Sequence, residues 1–231
     1  MIIKVCGMRD AQNIRDLESL RPDMMGFMCW NGSKRYVSGR PGYLPDVCRV
    51  GVFVNPTADE VVQKVRELGL NRIQLHGAET PELCRVIHKA TGLPIMKAIQ
   101  VSQASDFEVC SAFERADGVD MFLFDTKCSG WGGSGRSFDW SMLDSYDGDN
   151  PFILAGGIGP GAEERLVEIE HPKFRGIDLN SQCEVEPGLK EINKLSVFIN
   201  NIRNYEQNKL FVRHQETRHP VTLFLRRTPH A

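Results

Sequence analysis

Eight short apolar runs, each closed by a polar or glycine turn, limit most sharply what this chain can fold into. They are Ile2 to Cys6, Met24 to Cys29, Arg49 to Val54, Arg72 to Leu75, Pro94 to Ile99, Met121 to Asp125, Phe152 to Ala155 and Phe174 to Leu179. They are rich in Val, Ile, Phe and Met, and most are continuous rather than alternating. That is the pattern of parallel strands covered on both faces. Segments with helical spacing separate them. Ala58 to Leu68 sets Val61, Val62, Val65 and Leu68 on one face, and Thr57 with Glu60 three residues later is a capping-box signature. Pro81 to Ala90 carries Leu83, Val86 and Ile87, with Pro81 at a first helical position. Gly161 to Ile169 and Gly188 to Asn204 are also amphipathic. Ser38 to Val47 contains Pro41, Gly42 and Pro45, and predicts at most a short or irregular helix. Eight β/α units in about 200 residues predict an α/β fold, a single-domain (β/α)8 TIM barrel, over residues 1–209. An open doubly wound sheet is the alternative. Residues 210–231 are basic and break the pattern; they read as a tail that is disordered or introduced by cloning.

Charge excludes some classes of partner. Lys plus Arg number 28 and Asp plus Glu 30, for a net charge near −2. No bulk field attracts nucleic acid or an anionic membrane, so an anionic ligand must be held locally. Seven cysteines are scattered with no C-x-x-C pair. That argues against a disulfide framework and against a structural zinc site, and predicts a reducing, cytoplasmic setting. No stretch approaches the ~20 apolar residues of a spanning helix, and the apolar start at Met1 is too short for a signal peptide.

In a barrel of this kind the active site lies at the C-terminal ends of the strands. Cys6 ends the first run and is followed by Gly7, where the chain turns. Lys4 lies two residues earlier, on the same side of the strand. A cation there is expected to favour the thiolate, the form that accepts a proton. The other six cysteines read as small core residues. Asp125 ends the run Met121 to Phe124; it is a helix cap, a partner for a basic group, or an acid. Gln74 and His76 end the fourth run, and Arg35 lies in the second loop. Gly156 and Gly157 follow the seventh run, where adjacent N–H groups can cradle a phosphate. The eighth run ends at Asn180 and Ser181, and loops seven and eight together often form such a site. Gly132, Gly133, Ser134 and Gly135 follow the sixth run and read as a lid that closes over a ligand.

Taken in order, these segments resemble the phosphoribosylanthranilate isomerase family. The matching stretches are Lys4-Val5-Cys6-Gly7-Met8, Ser33-Lys34-Arg35-Tyr36, Val50 to Asn55, Gln74-Leu75-His76-Gly77, Phe124-Asp125-Thr126, Gly132 to Gly135, Leu154 to Ile158, Gly176 to Ser181 and Glu184 to Lys190. The resemblance spans roughly residues 1–205. It implies an Amadori rearrangement of an aminoaldose phosphate in tryptophan biosynthesis, with no metal and no organic cofactor. It implies Cys6 as the base that removes the C2 proton and Asp125 as the acid that protonates the ring oxygen. It also implies Arg35 on the anthranilate carboxylate, with Gln74, His76 and Asp178 as further substrate contacts. Gly156, Gly157, Asn180 and Ser181 would hold the phosphate. The partner is then a small phosphosugar, acted on by a monomer or homodimer. Two places depart from the family: Lys34 stands where proline is frequent, and Gln182-Cys183 occupies a spot that often carries glycine. Indole-glycerol-phosphate synthase would require a catalytic lysine and glutamate set whose pattern is missing. A non-catalytic phosphosugar-binding barrel would keep the glycine loops without needing both Cys6 and Asp125.

Overall fold

The computed structural model describes residues 1–126 and 140–218. Eight parallel strands close into a barrel: β1 (Ile2–Cys6), β2 (Met24–Met28), β3 (Cys48–Phe53), β4 (Arg72–Leu75), β5 (Ile95–Val101), β6 (Val119–Thr126), β7 (Phe152–Ala155) and β8 (Phe174–Leu179). Each pairs with the next, and β1 pairs with β8 through Lys4 opposite Asp178 and Val5 opposite Leu179. The expected (β/α)8 barrel is therefore the observed fold, and the open sheet is excluded.

Side chains alternate across each strand, so one parity fills the barrel and the other faces the helices. Inside lie Met24, Val50, Met96, Ala98, Met121, Leu123, Ile153 and Ala155. Outside, Phe122, Phe124, Phe152, Leu154 and their neighbours pack beneath the helical ring in one continuous core. Both faces are buried, which is why the strands read as unbroken apolar runs. The same parity sends Lys4, Cys6, Gln74 and Asp178 inward.

The ring contains α1 (Ala11–Ser19), α2 (Ala58–Leu68), α3 (Pro81–Thr91), α4 (Cys110–Glu114), α5 (Glu163–Val167) and α6 (Ile192–Arg218). Thr57 caps α2 with a complete capping box, and Gly69 ends it in the left-handed conformation. Between β2 and β3 no helix forms; Met28 bridges Tyr36 and the rest is turns and bends. The segment expected from Gly161 contracts to α5. The one expected from Gly188 starts later, because Leu189–Lys190 (β10) first pairs with Glu184–Glu186 (β9) in a hairpin. α6 runs on to Arg218, past the boundary at 209 drawn from sequence. The Gly132–Gly135 segment and residues 219–231 lie outside the described residues.

Candidate active site

At the C-terminal mouth, a cavity of about 170 Å³ is lined by residues from seven of the eight strands or their loops, among them Cys6, Gln74, His76, Asp125 and Asp178. Gly156, Gly157, Asn180 and Ser181 form its other wall. All but one of the described residues picked from sequence as catalytic, substrate-binding or phosphate-binding thus meet at one opening. The exception is Arg35, whose side chain crosses beside Gly7 and Asn180. A larger groove, formed by Met1, Phe174 and residues 203–209 of α6, lies at the opposite end and contains none of these groups.

Cys6 is 3% exposed and points inward opposite Gly26. A Cβ at Gly26 would stand 2.7 Å from the Cys6 sulfur, so the glycine makes the room the thiol occupies. Lys4 favours the thiolate, as its place on the strand leads one to expect. Burial pushes the Cys6 thiol up, and Asp178 adds to that; Lys4 opposes both without cancelling them. Lys4 is itself paired with Asp178. Its Nζ lies 2.7 Å from Asp178 Oδ2, deep in the barrel. Burial works against its charge, but the neighbouring Asp178 and Cys6 outweigh that and raise its pKa.

Asp125 stands across the mouth on β6. Its Oδ2 lies 3.1 Å from His76 Nε2 and accepts from Gln100 Nε2 at 2.9 Å. The His76 Nδ1 lies 2.9 Å from Gln74 Nε2. The Gln74 amide nitrogen only donates, so Nδ1 accepts from it, and in that tautomer the ring proton sits on Nε2, facing Asp125. Gln100 had no place in the sequence reading.

Gly156 and Gly157 both have positive φ, +92° and +67°, a run that side chains disfavour. It bares the backbone toward the cavity. Gln182 lies against this turn, since a Cβ at Gly159 would meet the Gln182 Cβ at 2.7 Å. The departure at Gln182 thus joins loops seven and eight.

Arg35 is held by Glu184: Nε lies 2.9 Å from Oε1 and Nη2 lies 2.5 Å from Oε2. Lys190 Nζ donates to Glu184 at 2.7 Å and to Asn180 Oδ1 at 2.8 Å, and the Gly188 N–H adds a further bond to Glu184. Burial alone would raise the Glu184 carboxyl. Arg35, Lys190 and Gly188 outweigh it and hold the group at about 2. Sequence reasoning assigned no role to Glu184 or Lys190. Their spacing in Glu184-Val185-Glu186-Pro187-Gly188-Leu189-Lys190 is that of a hairpin, the one signal available. Among the described residues no cluster of His, Cys, Asp and Glu is arranged to hold a metal, and no helix is long and apolar enough to cross a membrane.

Residues 3–201 match the model of the N-(5'-phosphoribosyl)anthranilate (PRA) isomerase family. The chain is 49% identical over 204 residues to the N-(5'-phosphoribosyl)anthranilate isomerase of Phocaeicola vulgatus, covering 88% of this chain and 98% of that one. It is 46% identical to that of Parabacteroides distasonis, covering 87% and 93%. Among solved structures, the Thermotoga maritima phosphoribosyl anthranilate isomerase superposes with a TM-score of 0.73 at 30% identity, covering 88% of this chain and all of that one. A phosphoribosyl anthranilate isomerase in complex with reduced 1-(o-carboxyphenylamino)-1-deoxyribulose 5-phosphate superposes with a TM-score of 0.72 at 28% identity, covering 88% and 100%. The chain belongs to the N-(5'-phosphoribosyl)anthranilate isomerase family.

Proposed function

We infer that the protein isomerises N-(5-phosphoribosyl)anthranilate to 1-(2-carboxyphenylamino)-1-deoxyribulose 5-phosphate, a step of tryptophan biosynthesis. One observation carries the reading: Cys6 on β1 and Asp125 on β6 line a single cavity with the Gly156–Gly157 turn. Asp125 is the acid. It protonates the furanose ring oxygen as the C1–O bond breaks, and the anthranilate nitrogen lone pair forms the C=N bond. Cys6, as thiolate, removes the C2 proton from this Schiff base and gives an enolamine. Return of a proton to C1 and loss of one from the C2 hydroxyl completes the ketone, with no net proton consumed. Each proton transfer by a positioned side chain contributes about 10²–10⁴-fold. The glycine turn, with Asn180 and Ser181, anchors the phosphate away from the reacting carbons and fixes their orientation. Arg35 pairs with the anthranilate carboxylate, and Gln74, His76 and Asp178 contact the sugar. The six described cysteines are free thiols, in keeping with a cytoplasmic enzyme acting as a monomer or homodimer. The T. maritima phosphoribosylanthranilate isomerase is dimeric, and monomers have been generated from it. Purified protein should remove the fluorescence of phosphoribosylanthranilate and release the aminoketose phosphate, identified by chromatography. Saturable binding of the product without turnover would mark a phosphosugar-binding barrel instead.

A further inference from the structure

Beneath the β4–α3 turn, outside the cavity, lies a buried ion pair that the proposed chemistry does not use. Lys97 Nζ on β5 is 3.0 Å from Glu79 Oε2, and both side chains are almost fully shielded. Lys97 also donates to the Gly77 carbonyl at 2.8 Å and the Ala98 carbonyl at 3.0 Å. Glu79 Oε1 accepts from the Asn55 N–H at 2.8 Å and the Gly77 N–H at 3.0 Å. Asn55 has a positive φ of +48°, and its Oδ1 accepts from the Ala78 N–H at 2.7 Å. A Cβ at Gly77 would stand 2.5 Å from Asn55 Oδ1 and 2.7 Å from Glu79 Oε1. Both polar groups of Gly77 and the N–H of Ala78 are therefore fixed immediately after His76. The His76 N–H is itself bonded to the Phe53 carbonyl at 2.8 Å.

We propose that the Glu79–Lys97 pair, with Asn55 and Gly77, is a positioning device that aims the His76 ring at Asp125. Buried ion pairs seldom stabilise a fold more than apolar side chains of the same volume. An apolar pair could fill this space, but it could not hold the N–H and C=O groups of the turn. Held this way, His76 meets Gln74 on Nδ1 and gives its Nε2–H to Asp125 Oδ2. A donor already aimed at that oxygen stabilises the charge left on Asp125 once its proton has gone to the ring oxygen. A misplacement of about 1 Å from outside the site can cost about 10²-fold in rate. The proposal rests on Asp125 as the acid.

The test is a cycle of Glu79→Gln and Gly77→Ala, each made in the wild type and in His76→Asn. In the wild type each should lower kcat about tenfold or more and leave KM within about threefold. In His76→Asn each should cost less than about twofold, because the residue it acts through is gone. Equal losses in both backgrounds, or none in the wild type, overturn the proposal. Nitrogen-15 spectra of His76 give a second readout that needs no turnover. The wild-type ring should be the Nε2-protonated tautomer, and Gly77→Ala should yield a mixture. A mixture already in the wild type, or no change in the variant, overturns the proposal. Asp125→Asn is assayed alongside: wild-type turnover in that variant would refute the acid assignment alone, while the spectra still decide whether the pair positions His76.

Discussion

At the scale of single residues, the proposed chemistry depends on a thiol whose burial keeps it from being acidic. Burial holds the Cys6 thiol up against the pull of Lys4, so its reactivity should keep rising with pH. Peptide-resolved alkylation with iodoacetamide should show Cys6 labelling still climbing at about pH 9; a plateau by about pH 7 would mean an acidic thiol and refute this picture. Gly26→Ala should lower kcat while sparing most of the fold, since the new methyl meets the Cys6 sulfur; unchanged turnover would show that the thiol has spare room. Cys6 and Asp125 were legible in the sequence because each ends an apolar run next to a turn. Gln100, Glu184 and Lys190 were not. Glu184 meets Arg35 from 149 positions away in the chain, and only barrel closure brings the two together.

At the scale of elements, the β9–β10 hairpin acts as a clamp on the cations near the mouth. Glu184→Gln should loosen Arg35 and raise KM about tenfold with kcat little changed, about 1.4 kcal/mol of binding. A fall in kcat with an unchanged KM would mean that Arg35 serves the chemistry rather than binding. Glu184 also sets an acid limit. Its folded pKa of about 2 lies below the ordinary glutamate value near 4.3, so its contribution to stability is complete above about pH 4.3 and is lost as pH falls toward 2. Unfolding midpoints measured down that window should fall less steeply in Glu184→Gln than in the wild type. The strands and α2 were readable because their apolar periods are unbroken. α1 was not picked out, because its inward face carries the buried Asn13 beside Ile14 and Leu17. Asn13 exchanges two hydrogen bonds with the Lys190 backbone, so a polar residue occupies a core position and hides the period. The β2–β3 connection was readable as irregular from its prolines and glycine.

At the scale of the whole molecule, closure of the barrel brings distant strands to one mouth, and β1 against β8 is the closing seam. At Gly176 a Cβ would collide with the Ile2 carbonyl across that seam. Gly176→Ala should therefore destabilise by several kcal/mol, on the order of a severe packing defect, and lower the thermal midpoint with activity lost in parallel. The buried thiols set an alkaline limit as well. Burial pushes Cys84 up to about 11 and Cys110 up to about 12. A pKa raised on folding contributes stability that is complete below the unfolded value near 8.5 and lost as pH rises toward the folded one, so thermal midpoints should decline above about pH 9. Fold and mouth were legible because parallel strands announce themselves and barrel sites gather at their C-terminal ends; the buried ion pair under His76 was not, since Glu79 lies in the turn after β4 and Lys97 within β5. The central claim is that a thiol and a carboxyl group on separate strands act on one bound sugar phosphate. It is tested most directly by measuring turnover and product affinity together for Cys6→Ala and Asp125→Asn. Each variant should lose about 10²–10⁴-fold in kcat and bind 1-(2-carboxyphenylamino)-1-deoxyribulose 5-phosphate within a few-fold of the wild type; a variant that turns over at the wild-type rate while binding normally would contradict the claim.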